Sequence, residues 1–170
     1  MTTETIVDKM VQDMRLFVAK RDHVSFSELC GRYGNDAEGD SSISLAPPSG
    51  AAPNQEHDIY IWGNVSENFA AAYMLGVKKG YFHPDFNGNV LTYIFDGTVL
   101  DYPLVTPRIV KSYVKGVPLK KDYWIVTLVR PGTHCSNRKN CTGFPSGMTS
   151  EEILNSKEIT KQHLPENWKS

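Results

Sequence analysis

The chain has 170 residues, 40% of them hydrophobic and 22% charged, which suits one globular domain with additions. No apolar run approaches the roughly 20 residues of a membrane span, and three cysteines, an odd number, do not make a disulfide framework. Met1-Thr2-Thr3-Glu4-Thr5-Ile6 has an early acid and no basic stretch leading into an apolar core, unlike a secretory signal, so an intracellular, cytoplasmic protein with reduced thiols is expected.

Residues 4–19 carry Ile6, Val7, Met10, Met14, Phe17 and Val18 at helical spacing, with charged and polar residues between them, and predict an amphipathic helix. Val24-Ser25-Phe26-Ser27-Glu28-Leu29 holds an S-x-x-E capping box with a hydrophobic staple. A second helix is expected from Ser25 to about Tyr33, stopping at Gly34-Asn35. Residues 35–57 are polar, acidic and then Pro-rich, and read as a long irregular insertion in which Ile43 and Leu45 pair briefly as an edge strand. Asp58 to Trp62 is a short strand. Ser66 caps a third helix running to about Lys79, with Gly80 as its exit. Gly76 sits where a large apolar residue would be expected, which suggests close packing against another element.

Tyr81-Phe82-His83 reads as a strand, Pro84 to Asn89 as a turn, and Val90 to Phe95 as a strong strand. Asp96-Gly97 resembles a type I′ turn into Thr98 to Tyr102. Pro103, Pro107 and Pro118 break the following stretch into short pieces. Tyr123 to Val129 predicts a buried strand. Thr149-Ser150-Glu151-Glu152 is a capping box for a short helix over 150–162.

The charge is unevenly spread. Residues 1–100 hold 7 Lys and Arg against 13 Asp and Glu, whereas 101–170 hold 11 against 6. Within 108–139 the basic residues are Arg108, Lys111, Lys115, Lys120, Lys121, Arg130, Arg138 and Lys139, against Asp122 alone. Such a segment suits a polyanion or an acidic partner; the alternative is a solvated basic face.

The order helix, helix, strand, helix, strand, turn, strand over residues 1–103 resembles a winged-helix domain. Val24 to Leu29 looks like its second helix, and Val65 to Phe82 like the third helix running into the wing. The expected fold class is α+β: a winged-helix-like core over 1–103 carrying the insertion at 35–57, and a basic, strand-containing extension over 104–170 packed on it. The resemblance implies a DNA-binding module whose third helix enters the major groove. That helix would present Glu67, Asn68, Ala71, Met74, Leu75 and Lys78. Only Asn68 offers a bidentate base contact, and Met74 and Leu75 look more like a protein surface. The turn between the last two strands has no cation, so Phe86 at its tip suits protein docking or packing.

The chain contains no G-x-S-x-G, H-E-x-x-H or phosphate-loop motif. Its five histidines are scattered, and no catalytic residue is assigned. His134, Cys135 and Cys141 supply three potential ligands where structural zinc uses four, so no metal and no cofactor are expected. Cys30 reads as a core thiol. The candidate nucleic-acid contacts are Asn68, Lys78, Arg108, Lys111, Lys115, Lys120 and Lys121, interleaved with Tyr113, Tyr123 and Trp124, on which a base could stack. The expectation is a non-enzymatic binding protein with DNA as partner. The alternative is protein interaction or self-association, with an enzyme third. No membrane and no small-molecule ligand are expected.

Overall fold

The computed structural model describes residues 5–46, 56–86, 89–114, 116–132 and 161–163. The fold class is α+β, with five α-helices and seven strands among the described residues.

Helix α1 (Ile6–Arg21) opens on a capping box in which the Thr5 hydroxyl accepts from the Asp8 amide and the Asp8 carboxylate accepts from the Thr5 amide. Its inner stripe is Val7, Met10, Val11, Met14 and Val18. Ile6 is exposed, and Phe17 is half-buried beneath the guanidinium groups of Arg21 and Arg32. The two-residue strand β1 (Val24–Ser25) leads into α2 (Phe26–Tyr33). Ser25 caps α2 as expected, its hydroxyl 3.1 Å from the Glu28 amide. The reciprocal arm from Glu28 is not formed among the described residues. Ser25 instead pairs with Leu128 as strand, and its hydroxyl donates to Asp96.

The expected insertion at 35–57 is corrected over its first half. Glu38–Ala46 forms a nine-residue strand, β2, antiparallel to β3 (Ile59–Val65) through three register shifts. β2 is interior, because β7 (Lys161–His163) pairs parallel to its other side. Glycine, aspartate and serine give this strand little β-propensity; pairing partners on both sides make it, and bulges absorb its irregular spacing. Gly39 is required there, since a Cβ would lie 2.7 Å from backbone atoms of Val65 and Ser66.

Helix α3 (Glu67–Lys78) is capped by Ser66, whose hydroxyl accepts from the Phe69 amide and donates to the Asp36 carbonyl. β4 (Phe82–Asp85) follows and is wholly buried. The expected strand at 90–95 is a helix instead, α4 (Val90–Asp96). Its β-branched and aromatic residues imitate a strand, but Asn89 caps it through the Leu91 amide. Gly97, at φ 74°, ends it in the left-handed conformation. Asp96-Gly97 is therefore a helix stop and not a hairpin turn, and no strand forms over 98–102. Pro107 begins a further helix, α5 (Pro107–Val114). A proline loses nothing at the first helical position, where its missing N–H has no intrahelical partner.

The strand expected over 123–129 is divided into β5 (Tyr123–Trp124) and β6 (Leu128–Pro131). The two belong to different sheets. One sheet has the order β1-β6-β4 with both pairings antiparallel, and the other the order β5-β3-β2-β7. The chain crosses between them at 125–127. Residues 104–132 and 161–163 thus contribute strands to both sheets. The helix expected over 150–162 is contradicted at Lys161 and Gln162, which are strand; the rest of it, with Lys115's side chain and the His134, Cys135 and Cys141 group, lies outside the described residues. No described helix is long and apolar enough to cross a membrane.

An aromatic cluster joins the layers. Phe26 contacts Trp62 and Tyr73, while Trp62 contacts Tyr93 and Trp124. The Tyr93 hydroxyl accepts from the Phe26 amide and donates to the Thr127 carbonyl, so α4 is tied to the start of α2 and to the crossover.

Candidate nucleic-acid interface

The third helix does not present the face expected of it. Every residue from Phe69 to Val77 is buried, because α3 is enclosed by α1, β2 and β4. Ala71, Met74 and Leu75 are sealed, and with them the apolar face that suggested a protein contact. Asn68 and Lys78 are half-buried at opposite ends of the helix, about 15 Å apart at 1.5 Å per residue. They do not form one site. The sequence carried a signal for this: Phe69 to Val77 has no charged residue, and a helix apolar all round is a buried helix.

The surroundings of the start of α3 are also unsuited to phosphate. An open groove of about 670 Å³ runs past Cys30, Glu38, Asp40, Trp62, Asn64 and Leu100. Among the described residues two carboxylates and no cation line it. Burial pushes the Cys30 thiol up to about 12, which keeps it protonated and poorly reactive.

The wing expected at 81–95 is replaced by β4 paired with β6. Phe86 is buried, and so is His83, whose Nδ1 lies 2.9 Å from the Gly132 carbonyl. Arg130, counted in the basic segment, is engaged. Its guanidinium donates to Asp85 and lies 3.8 Å from Asp22.

Four of the expected cations are brought out together in sequence and in exposure. Arg108 and Lys111 are exposed at i, i+3 on α5, hence on one face of it. The chain reverses after that helix, with the Gly116 amide on Tyr113 and the Val117 amide on Ser112. Leu119 is then buried as an anchor, and Lys120 and Lys121 are exposed. None of the four has an ion-pair partner among the described residues. Asp122, the lone carboxylate of this segment, is occupied elsewhere: it accepts from the Asp58 amide and lies 3.4 Å from His57. The aromatic part of the expectation is reduced. Tyr113 and Trp124 are core residues, the first donating to the Leu45 carbonyl. Tyr123 remains half-buried, with the Lys121 ammonium 5.7 Å from its ring centroid.

No family model, no curated protein and no solved structure matches this chain.

Proposed function

We propose that this chain is a non-enzymatic, winged-helix-like module that contacts nucleic acid, with duplex DNA as the favoured form, through the basic face of α5 and the turn after it. The fold part of the reading is supported by connectivity. In chain order α1, β1, α2, β2, β3, α3 and β4 keep the helix, helix, strand, helix, strand sequence that carried the resemblance, and the sheet β1-β6-β4 is antiparallel throughout. On this reading β2 and β3 would be an insertion between the second and third helices, and the described residues between β4 and β6 would occupy the position of the wing.

The observation that carries the partner is the set of four exposed cations Arg108, Lys111, Lys120 and Lys121, which have no ion-pair partner among the described residues. Exposed cations of this kind can displace counterions from phosphate. The basic face lies within the segment that would replace the wing, so contact would come from that segment and not from α3. Such contacts position a duplex without reading its sequence.

The test is binding of a fluorescein-labelled duplex, measured by anisotropy at low salt. Arg108→Glu/Lys111→Glu/Lys120→Glu/Lys121→Glu should abolish binding. Lys78→Glu/Lys79→Glu, at the end of α3, should leave it within about threefold, a change of about 0.6 kcal/mol. Equal loss in both variants would return the contact to α3 and overturn the reading.

A further inference from the structure

We propose that the exposed ridge of α4 is a docking surface for a protein segment that carries apolar side chains at helical spacing flanked by Lys or Arg. This goes beyond the nucleic-acid reading and rests on different residues. Leu91, Ile94 and Phe95 stand at i, i+3 and i+4, so they form one ridge. They are 50%, 54% and 85% exposed. Three exposed apolar side chains on one helical face mark an interaction surface more than a lone exposed leucine does.

The ridge is held rigidly. Tyr93, on the opposite side of α4, is fully buried, and its hydroxyl bonds two backbone groups. Asn89 and Gly97 fix the two ends, and the Asp96 carboxylate accepts from Ser25. Outward presentation of Phe95 is therefore a consequence of anchored packing on the other side.

Charge selects the occupant. From Gly80 to Pro107 the chain has no Lys or Arg, while Asp96, the last residue of α4, is exposed next to Phe95. Glu28 stands in the first turn of α2, the helix that packs against α4. An acidic rim repels phosphate, which separates this surface from the basic face of α5. It also disfavours a two-fold pairing of α4 with its own copy, because such an interface would set acid against acid. A segment with basic flanks meets the rim with the opposite sign.

The experiment is selection of a phage-displayed library of helical peptides on the full chain. Selected peptides should carry apolar residues at i, i+3, i+4 flanked by Lys or Arg. They should lose at least about tenfold in affinity on Ile94→Ser/Phe95→Ser, as truncation at an interface centre does. Both positions are exposed, and an unchanged thermal melt will establish that the variant is folded. Light scattering should give a monomer. Peptides without basic flanks, peptides that bind the variant equally well, or no enrichment at all would overturn the proposal. So would a dimer that Ile94→Ser/Phe95→Ser dissolves, since the occupant would then be a second copy.

Discussion

Gly76 of α3 and Phe82 of β4 occupy each other's space. A Cβ built on Gly76 would fall 2.0 Å from Cζ of the Phe82 ring. Phe82 is fully buried and stacks on Tyr73 with ring centroids 5.7 Å apart, so it has nowhere to retreat. The absent side chain lets α3 descend onto the strand that follows it. Gly76→Ala should therefore destabilise by about 1–3 kcal/mol through overpacking, although alanine raises helix propensity by about 1 kcal/mol. Urea midpoints measure this. In a Phe82→Leu background the same change should cost less, because the two sites share one volume. An equal cost in both backgrounds would show that the ring is not the obstacle.

Tyr93 makes two buried hydrogen bonds through one oxygen, and Tyr113 makes one, to the Leu45 carbonyl. Tyr93→Phe leaves the Phe26 amide and the Thr127 carbonyl unpaired, a cost of about 1–3 kcal/mol. Tyr113→Phe should cost less. If Tyr93→Phe unfolds at the wild-type urea concentration, α4 is not fastened in the way described.

The tie between α1 and α2 makes a small acid-dependent contribution. Arg32 donates to both oxygens of Asp13 at 2.6 and 2.8 Å, and the Tyr33 hydroxyl donates at 2.7 Å. Arg32 chiefly holds the Asp13 carboxyl below its ordinary value of 3.8. A lowered carboxyl gives stability that is present above pH 3.8 and is lost as pH falls through the folded-state value. Both side chains are 40% exposed, so the pair contributes less than about 1 kcal/mol. Asp13→Asn should lower the urea midpoint slightly near neutral pH, with the difference from wild type shrinking in acid. A difference that is unchanged below pH 3.8 would rule out this linkage.

Helices α1, α2 and α3 were legible because their signals are local. Ser25 and Ser66 announce their helices by accepting from amides three residues on, and the stripe of Val7, Met10, Met14 and Val18 needs only a period. Gly76 was legible as a close approach, though its partner was not. β2 was legible only at Ile43 and Leu45, as a brief edge strand; Gly39, Asp40, Ser41 and Ser42 favour no strand and belong to it because β3 lies beside them. α4 was misread because Val90, Tyr93, Ile94 and Phe95 are residues that strands also favour. The contrary evidence, Asn89 and Gly97 at the two ends, serves equally well as turn chemistry. At the candidate site, Arg108, Lys111, Lys120 and Lys121 stand exposed in agreement with the charge pattern. The α3 face was assigned by analogy of element order, which says nothing of what covers a helix; β2, foreseen only in part, helps to cover it.

The measurement that tests the central claim most directly is the salt dependence of duplex binding. The logarithm of the association constant should fall against the logarithm of salt with a slope of about −0.9 for each phosphate neutralised. Four cations on α5 and the turn after it imply a slope of about −3 to −4. Lys111→Gln/Lys120→Gln/Lys121→Gln should bring the slope to about −1, while Asn68→Ala at the start of α3 should leave it unchanged. A flat response in the wild type, or a slope that Asn68→Ala alters and the lysine variant does not, would contradict phosphate contact through the basic face.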